Sequence, residues 1–561
     1  MDLMSSARTS TATLEQTAPA ERRWLVLVVV AVAQLMLVLD GTIVNIALPS
    51  AQQALGFSDS DRQWVVTAYA LAFGSLLLVG GRLGDMFSRK WVFITGLVGF
   101  AIASAIGGAA GSFAVLVTAR ALQGAFGAVL APAALGTLVS TFIDPRERGR
   151  AFGVFGSVAA GGSAIGLVLG GVLTEYFSWR WCLYVNLVFA AIAAAGALAY
   201  LRGGRSVSRP QMDWPGAVLA CAGLFAIVFG FSQAETAGWT SALTVGSLVG
   251  GMLLLAGFVV AEQRVPHPLL PLRVIVDRVR GGAYVAVGIS GMAVFGTFLF
   301  LTFYLQVVNG FSPLTTGLLF LPMTASILIS SNLSSSIGLG PHARIAAGML
   351  LSAGGMALLT QVTVTSSYVS GVLPALIILG LGLGQIFAQA INTATAGVAR
   401  EDSGVASALV NTMQQVGGSI GTAALSTIAL NATARYLSGR DASPQTQAMA
   451  ETYGYTVAFG VSAGLLVIGV ILAIVLVPSR RELADVGDAA VATRAAPGPA
   501  PELAAPATTP AQQQVSEAIP VALCSCSPLV HSVAGSSRNG GIHPPESPLV
   551  QDQGQTHDRT F

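Results

Sequence analysis

The sequence predicts an all-α integral membrane protein with fourteen transmembrane helices, arranged as two six-helix halves plus two extra central helices. Hydrophobic residues make up 53% of the 561-residue chain and charged residues only 10%, a balance far more apolar than that of a soluble domain. Apolar runs recur at about the 20-residue length that a helix needs to cross hydrocarbon. Loops rich in arginine or lysine alternate along the chain with loops that have few, as they do in multi-pass membrane proteins.

The predicted helices and the regions that they form follow the chain in order. The helices lie at 24–48, 62–81, 91–110, 113–138, 151–174, 181–201, 214–233, 242–261, 281–307, 314–338, 343–362, 368–397, 405–430 and 455–477. Both ends of the chain, residues 1–21 and 483–561, lack apolar periodicity and are predicted to be disordered. The helices then divide into an N-terminal half at 24–201, two inserted helices at 214–261 and a C-terminal half at 281–477.

A weak internal repeat supports this division. The chain reads DPRERGRAFGVFGSVAAGGSAIG from Asp144, after the fourth helix, and AREDSGVASALVNTMQQVGGSIG from Ala399, after the twelfth. Each copy has a short charged loop followed by a helix with a GGS…IG interior. Internal repeats are typical of secondary transporters, whose substrate path lies between the repeats.

Loop charge predicts the orientation in the membrane. Twenty arginine or lysine residues flank the helices on the side of the N-terminus, and the opposite loops hold only Arg62, Arg180, Arg435 and Arg440. By the positive-inside rule, both termini are expected in the cytoplasm, with the chain in the plasma membrane as a multi-pass protein. The sequence does not fix the oligomeric state, and a monomer is sufficient for the predicted bundle.

One acidic residue lies deep inside the first apolar run. Asp40 is the only ionisable residue between Trp24 and Leu48, and a carboxylate at that depth indicates a functional site. Arg120 in the fourth helix lies at a similar depth, roughly 10 to 12 Å below the same membrane face. If the helices are neighbours, the guanidinium favours the ionised carboxylate and burial favours the protonated one, so the pair can load and release a proton. A static buried ion pair is the alternative.

The sequence excludes ATP as the direct energy source for transport. Lys90 is the only lysine, so the chain has no P-loop for ATP. It has no H-E-x-x-H signature, and its histidines and cysteines show no metal-ligand spacing. We therefore expect no enzyme activity, metal, cofactor or nucleic-acid partner. The expected partners are a small-molecule substrate, protons and the lipid bilayer, with an ion gradient as the driver.

Four motifs carry a family resemblance. The loop GRLGDMFSRK resembles the cytoplasmic motif of the major facilitator superfamily, but Met86 and Ser88 depart from it. Three helix motifs, LDGTIVNIALP, ARALQGAFGA and GSAIGLVLGGVL, resemble those of its fourteen-helix drug:proton antiporter branch, although Leu167 stands where proline is usual. The residues that match are, for proton coupling, Asp40 and Arg120; for the cytoplasmic gate motif, Gly81, Asp85, Arg89 and Lys90; and for the helix 5 antiporter motif, Gly162, Gly166, Gly170 and Gly171.

This resemblance implies a major-facilitator-type fold and the proton-coupled export of amphipathic or hydrophobic small molecules, such as drugs or antibiotics. A proton-coupled importer on the same fold is the alternative, and a membrane sensor or enzyme without transport is a more distant one. The candidate substrate-lining residues are polar or aromatic side chains inside predicted helices: Gln34, Asn45, Gln123, Phe295, Phe298, Gln306, Gln385, Gln389, Asn392, Asn411 and Gln415. Interhelical hydrogen bonds and ordinary core aromatics are the other interpretation of this set.

Overall fold

Long helices make up the part of the chain that the structure describes. The computed structural model describes residues 20–201, 203, 213–266, 268–270, 272–275, 277–334, 339–395, 403–441 and 443–476. The long helices are α1 Ala20–Leu55, α2 Arg62–Met86, α3 Arg89–Gly108, α4 Phe113–Thr141, α5 Pro145–Tyr176, α6 Trp181–Tyr200, α7 Trp214–Thr236, α8 Ala242–Arg264, α9 Arg278–Phe303, α10 in two parts at Pro313–Leu319 and Leu321–Leu333, α11 Pro341–Leu359, α12 Leu373–Thr395, α13 Ser403–Leu437 and α14 Pro444–Leu476. Shorter helical segments at Leu272–Ile275, Tyr304–Val308 and Tyr368–Val372 adjoin α9 and α12.

The helix count agrees with the sequence. Within the described residues, thirteen helices are long and apolar enough to cross a membrane when α10 is counted once. The fourteenth, α13, is 35 residues long and packs between α2, α7, α9 and α14. It carries the polar side chains Asn411, Gln414, Gln415 and Asn431. The prediction of an all-α membrane protein is confirmed.

Several helices are longer than the apolar runs that predicted them. The first, predicted at 24–48, begins at Ala20 and ends at Leu55, and the last, predicted at 455–477, begins at Pro444. An apolar run marks only the part of a helix in hydrocarbon, whereas the backbone hydrogen bonds continue into the polar interface. Apolar length therefore located the helices but not their ends.

The helix predicted at 314–338 is found as one membrane-length span at Pro313–Leu333, but it is interrupted at Phe320. Phe320 separates the two parts of α10, and Pro322 lies at the start of the second part. Proline has no backbone N–H to donate and disfavours helical geometry in the residue before it, so a helix commonly restarts at such a position. Residues 335–338 lie outside the described residues.

The two ends of the chain and several loops also fall outside that description. Of the segment predicted to be disordered at 1–21, the structure describes only Ala20 and Glu21, in the first turn of α1. The chain divides into a unit Met1–Ala495, which contains every helix named above, and a unit Ala496–Phe561. The predicted tail at 483–561 and the charged loops around Arg205 and Arg400 are not described.

Close helix packing surrounds the middle of α1. Helix α1 contacts α4, α5 and α6, while α3 packs against both α4 and α6. Glycine allows some of these helices to approach at backbone distance: a Cβ on Gly96 of α3 would lie 3.0 Å from the Cα of Leu130 in α4. Small residues at such crossings are typical of membrane bundles. They bring polar groups on the neighbouring helices within reach of α1.

The outside of the bundle is apolar. Large aliphatic side chains are exposed on α6 at Val188 and Ile192, on α8 at Met252 and Leu253, and on α14 at Ile471. Side chains of this kind would be unfavourable in water but match the lipid tails of a bilayer. The exposed apolar surface therefore agrees with a protein that spans the membrane.

Candidate functional site

Asp40 is completely buried near the middle of α1, with 0% of its surface exposed. Arg120 of α4 is 2% exposed, and its Nη1 donates a hydrogen bond of 2.7 Å to Asp40 Oδ2. The depth argument from helix rise had placed these residues on one level, and the structure places them in contact. Burial of both charges requires mutual pairing and further hydrogen bonds, because each ion alone would cost several kcal/mol.

Two amides bind the other oxygen of the same carboxylate. Gln123 Nε2 and Asn186 Nδ2 each donate to Asp40 Oδ1 at 2.8 Å. Both amides also donate at 3.0 Å to Ser104 Oγ, which in turn donates to the carbonyl of Leu183 at 2.8 Å. Asp40 thus accepts three hydrogen bonds, from α4 and α6, and a hydroxyl on α3 joins the two amide donors.

Helix geometry explains why Arg120 and Gln123 act on one carboxylate. Residues three apart lie on the same face of a helix, and here Arg120 Nη1 also donates to Gln123 Oε1 at 3.0 Å. The guanidinium is fixed further by α2, where Nε donates to the Val65 carbonyl at 3.1 Å and the Tyr69 ring lies 4.4 Å from Cζ. Arg120 is therefore held by groups on α1, α2 and α4.

Three members of this cluster were missed in the sequence. Asn186 is the one strongly polar residue in the run WCLYVNLVFAAIAAAGALAY, a signal of the same kind as Asp40 that could have been used. Ser104 and Tyr69 gave no such signal, because serine and tyrosine are common in membrane helices. Gln123 was expected to line a substrate path, whereas the structure places it against Asp40.

The glycines of α5 pack mainly against α1. Cβ atoms at Gly162 and Gly170 would lie 3.0 Å from Leu35 Cδ1 and 3.1 Å from Ile43 Cα, and one at Gly166 would contact Thr42. Gly171 faces a different helix, since its Cβ would lie 2.5 Å from Leu314 Cα at the start of α10. The glycine series is therefore a seam between α5 and the helix that carries Asp40, and its last member meets α10.

Three cations of the GRLGDMFSRK stretch, at the end of α2 and the start of α3, bind backbone carbonyls of neighbouring segments. Arg89 Nη1 donates to the Gly136 carbonyl of α4 at 3.1 Å, and Lys90 Nζ donates to the Leu198 carbonyl of α6 at 2.8 Å. Arg82 donates to the Pro268 carbonyl beyond α8. A Cβ on Gly81 would lie 3.9 Å from Pro132 Cβ, so this glycine faces α4. The side chain of Asp85 lies outside the described residues, and its role in a gate stays a prediction.

Two of the candidate lining glutamines form hydrogen bonds with serines in and just after α10. Gln385 Nε2 donates to the carbonyl and hydroxyl of Ser330 in α10, at 2.7 and 2.9 Å. Gln389 Nε2 donates to Ser334 Oγ at 3.3 Å. These contacts follow the alternative interpretation, in which such side chains join helices.

The remaining candidates are dispersed. Gln306 Nε2 donates to the Ile46 carbonyl of α1 at 3.0 Å, Asn45 donates to Gly41 in its own helix at 2.9 Å, and the Phe298 ring lies 5.0 Å from that of Phe320. The others lie at partly buried or exposed positions in four helices: Gln34, Phe295, Gln415, Asn392 and Asn411. The structure does not bring these side chains into one cluster.

The bundle is closed at the end where α1 ends and α2 begins, which we call the α1–α2 end. The Arg62 guanidinium of α2 lies 4.2 Å from the Phe303 ring centroid and 5.6 Å from that of Tyr455, and Nη2 donates to Tyr455 Oη at 3.4 Å. Nearby, Glu175 of α5 accepts a 3.0 Å hydrogen bond from the Leu314 amide. Helices α2 and α5 are thus joined here to α9, α10 and α14.

The opposite end of α5 is more open. Phe152 and Val154 in its first turns are exposed at 36% and 43%, and a Cβ at Gly153 or Gly156 would meet no atom within 4 Å. At this end α5 is still joined to α1, through the 2.7 Å ion pair between Arg23 Nη1 and Glu147 Oε2.

Comparison with known proteins identifies the fold's family. The sequence model of the Major Facilitator Superfamily matches residues 30–422. The chain belongs to the Major Facilitator Superfamily. As a member of this superfamily, with relatives that are named for resistance and export, it is a secondary transporter and not an enzyme.

Named relatives cover most of the chain. A puromycin resistance protein of Streptomyces alboniger is 48% identical over 484 residues, which are 85% of this chain and 96% of that protein. A cephamycin export protein of Amycolatopsis lactamdurans is 39% identical over 72% of this chain and 84% of that protein. A tetracenomycin C resistance and export protein of Streptomyces glaucescens is 35% identical over 72% of this chain and 75% of that protein.

Solved structures confirm the fold. A crystal structure of a peptide transporter in complex with sulfate aligns with a TM-score of 0.59 at 15% identity, over 82% of this chain and 96% of that one. A bacterial homologue of the human lysosomal transporter Spinster aligns with a TM-score of 0.57 at 15% identity, over 82% of this chain and 98% of that one. At such identities the likeness concerns the superfamily fold alone.

Proposed function

We propose that this superfamily member is an antiporter of the plasma membrane, which exports amphipathic or hydrophobic small molecules in exchange for protons. The observation that carries the proposal is the buried cluster around Asp40, in which one carboxylate is bound by Arg120, Gln123 and Asn186. Buried carboxylates are costly and are retained in membrane bundles chiefly where they carry ions or protons.

The chemistry of the cluster suits proton exchange. Arg120 and the two amides stabilise the ionised carboxylate, whereas burial stabilises the protonated form, so a modest movement of α4 or α6 changes which form is favoured. The donors come from helices other than α1, and a conformational change of the bundle therefore alters their distances. Asp40 is proposed as the proton carrier and Arg120 as the partner that replaces the proton.

The relatives support a drug-like substrate and the direction of export. The names of the three compared proteins refer to puromycin resistance, cephamycin export and tetracenomycin C resistance and export. The half-buried Phe295 and Phe298 of α9 offer apolar contact to amphipathic or hydrophobic molecules. We propose an antibiotic or a similar small molecule as the substrate.

The proposed arrangement has both termini in the cytoplasm, with α1–α6 and α9–α14 as the two halves and α7–α8 as the insertion. The excess of arginine in loops on the N-terminal side supports this orientation, and the α1–α2 end then faces outward. Arg82, Arg89 and Lys90 would lie at the cytoplasmic end and hold α4, α6 and the segment after α8. One chain is taken to be the transporting unit.

Transport into everted membrane vesicles tests the proposal. When the interior of the vesicles is more acidic than the medium, vesicles that contain the protein should accumulate a fluorescent cationic dye. A protonophore should abolish the accumulation. Asp40→Asn should lose gradient-driven transport while the protein remains in the membrane. Asp441→Asn, at an exposed loop position, is the matched control and should transport like the natural protein.

Two results would count against this function. Gradient-driven accumulation by Asp40→Asn at the natural rate would remove the carboxylate from coupling. Dye uptake in right-side-out vesicles, under the gradient of the living cell, would favour the importer on the same fold.

A further inference from the structure

A pair of buried carboxyl groups lies far along the chain from Asp40, where the inserted helices α7 and α8 meet. Asp213, just before α7, is 3% exposed, and Glu262, near the end of α8, is 4% exposed. Both carboxyl groups face the Gly216 position in the first turn of α7. Neither residue has a part in the Asp40 cluster.

Each carboxyl group has one bound oxygen and one unbound oxygen. Asp213 Oδ1 accepts the Gly216 amide of α7 at 2.9 Å, and Glu262 Oε2 accepts the Leu270 amide at 3.1 Å. Asp213 Oδ2 and Glu262 Oε1 are buried and have no hydrogen-bond partner. Both unbound oxygens lie beside Gly216, since a Cβ built there would contact Asp213 Oδ2 and would lie 3.0 Å from Glu262 Oε1.

A single proton satisfies both oxygens. We propose that Asp213 and Glu262 bind one shared proton between Oδ2 and Oε1, and that the protonated pair fastens the Pro268–Leu270 segment to α7 and α8. Two adjacent buried carboxylates repel each other and seldom ionise together. Asp213 is the anionic member because it caps the positive end of the α7 dipole, so Glu262 Oε1 carries the proton and donates it.

The charged groups around the pair are consistent with this assignment. Among the described residues, Arg264 at the end of α8 is exposed, and Arg82 of α2 donates to the Pro268 carbonyl. At the start of α9, Asp277 Oδ1 accepts the Arg280 amide. His267 lies outside the described residues. In the proposed step solvent supplies the proton, and one O–H bond forms on Glu262 Oε1.

The segment that the pair holds also contacts the gate motif. The Pro268 carbonyl accepts a hydrogen bond from Arg82, which belongs to the GRLGDMFSRK stretch. Two residues after Pro268, the Leu270 amide donates to Glu262. Leu270 itself is 4% exposed and packs in a cluster with Tyr284 of α9 and Ala406 of α13. The proton site thus joins the inserted helices to a segment that lies between α2 and α9.

Infrared spectroscopy on the full-length protein in lipid nanodiscs tests for the proton. At neutral pH, the difference spectrum obtained by subtracting the Glu262→Gln spectrum from that of the natural protein should show the C=O band of a protonated carboxylic acid. This band should shift in deuterium oxide. Asp213→Asn should lose that band too, although Glu262 remains, because the introduced side-chain amide then donates to Glu262 and the carboxylate form is favoured. Loss of one acid band in either single variant is the signature of a shared proton.

The opposite results are equally clear. A difference spectrum that contains only carboxylate bands would show that Glu262 is ionised, and the proposal would fall. Persistence of the acid band in Asp213→Asn would show an isolated buried acid in place of a shared proton. Neither outcome bears on dye transport by Asp40, so the two proposals fail independently.

Hydrogen exchange at Leu270 tests the fastening. Glu262→Gln keeps an acceptor for the Leu270 amide and a donor for Asp213, and exchange should stay at the natural rate. Glu262→Ala removes the acceptor and should speed exchange about fivefold, the effect of one ordinary hydrogen bond. Equal rates in all three proteins would contradict a fastening role for the pair.

Discussion

Asn186 of α6 donates a 2.8 Å hydrogen bond to Asp40 of α1, although 146 residues separate them in the chain. The same Asp40 oxygen accepts a hydrogen bond from the Gln123 amide, and the amides of Gln123 and Asn186 both donate to Ser104 Oγ. The carboxylate therefore has an orienting group on α6 in addition to its partner on α4. This relationship leads to the first prediction.

Replacement of Asn186 by leucine should destabilise the protein by about 1 to 3 kcal/mol, because Asp40 Oδ1 loses one of two buried donors. The measurement is thermal unfolding in a fixed detergent. In the double variant Asp40→Asn with Asn186→Leu, the second change should cost less than it does alone, since the charge that needs the donor has gone. Additive costs would show that Asn186 acts on something other than Asp40.

Removal of Arg120 should be the most damaging change in the cluster. Arg120→Gln leaves the Asp40 charge buried beside amides alone, and breaking a buried pair typically costs about 3 to 5 kcal/mol. The double variant Asp40→Asn with Arg120→Gln removes both charges and should recover much of that loss. Yield and unfolding temperature in detergent measure the effect, and a double variant less stable than Arg120→Gln would contradict a charge-pair origin.

Gly170 and Gly161 offer a matched pair of substitutions in one helix. A Cβ on Gly170 would lie 3.1 Å from the α1 backbone at Ile43, whereas one on Gly161 would meet no atom within 4 Å. Gly170→Ala should separate α5 from α1 and cost about 1 to 3 kcal/mol, with reduced transport. Gly161→Ala should gain about 0.5 to 1 kcal/mol from helix propensity.

Unfolding temperatures and dye transport of the two glycine variants are the measurements. If both alanines behave alike, α5 does not use Gly170 for close packing against α1, and the seam would need another explanation.

Arg62 should control closure at the α1–α2 end. Arg62→Ala removes the contacts with Phe303 and Tyr455, each cation–π contact being worth about 0.5 to 2 kcal/mol, and should favour the state open at that end. Spin labels at Phe177, just after α5, and Val307, beyond α9, both exposed, should then report a larger fraction of long distances. Arg150→Ala, at an exposed position near the opposite end, should leave the distribution unchanged.

A smaller variant separates the two interactions of Arg62. Tyr455→Phe keeps the ring and removes only the 3.4 Å hydrogen bond, so its shift should be smaller than that of Arg62→Ala. A distribution unaffected by Arg62→Ala would show that the hydrogen bonds of Glu175 and Gln306 are sufficient for closure.

Sequence reasoning located the central pair because helix rise is fixed. Asp40 and Arg120 could be assigned a common depth from apolar run lengths alone, and loop charge supported the helix count. Depth does not say which helices are neighbours, however, and so Asn186 was overlooked and Gln123 received a different role. Rotation about each helix axis and the order of helices around the bundle depend on tertiary packing.

The same limit explains the result for the polar residues of α12. Gln385 and Gln389 do share one face, as their spacing indicated, but that face meets α10, where serines accept their hydrogen bonds. A periodic pattern shows that a set of side chains points one way. Only the neighbouring helix determines whether those side chains meet a cavity or a partner.

The groups that form hydrogen bonds with Asp40 and Arg120 all lie on α1, α2, α4 and α6. Ser104 of α3 accepts hydrogen bonds from the two amides that bind Asp40. No group on α9 to α14, within the described residues, takes part in these bonds. Under the proposed function, substitutions in the C-terminal helices that alter substrate contacts would leave the proton-binding cluster intact. The same N-terminal half would then serve transporters whose C-terminal halves, and whose substrates, differ.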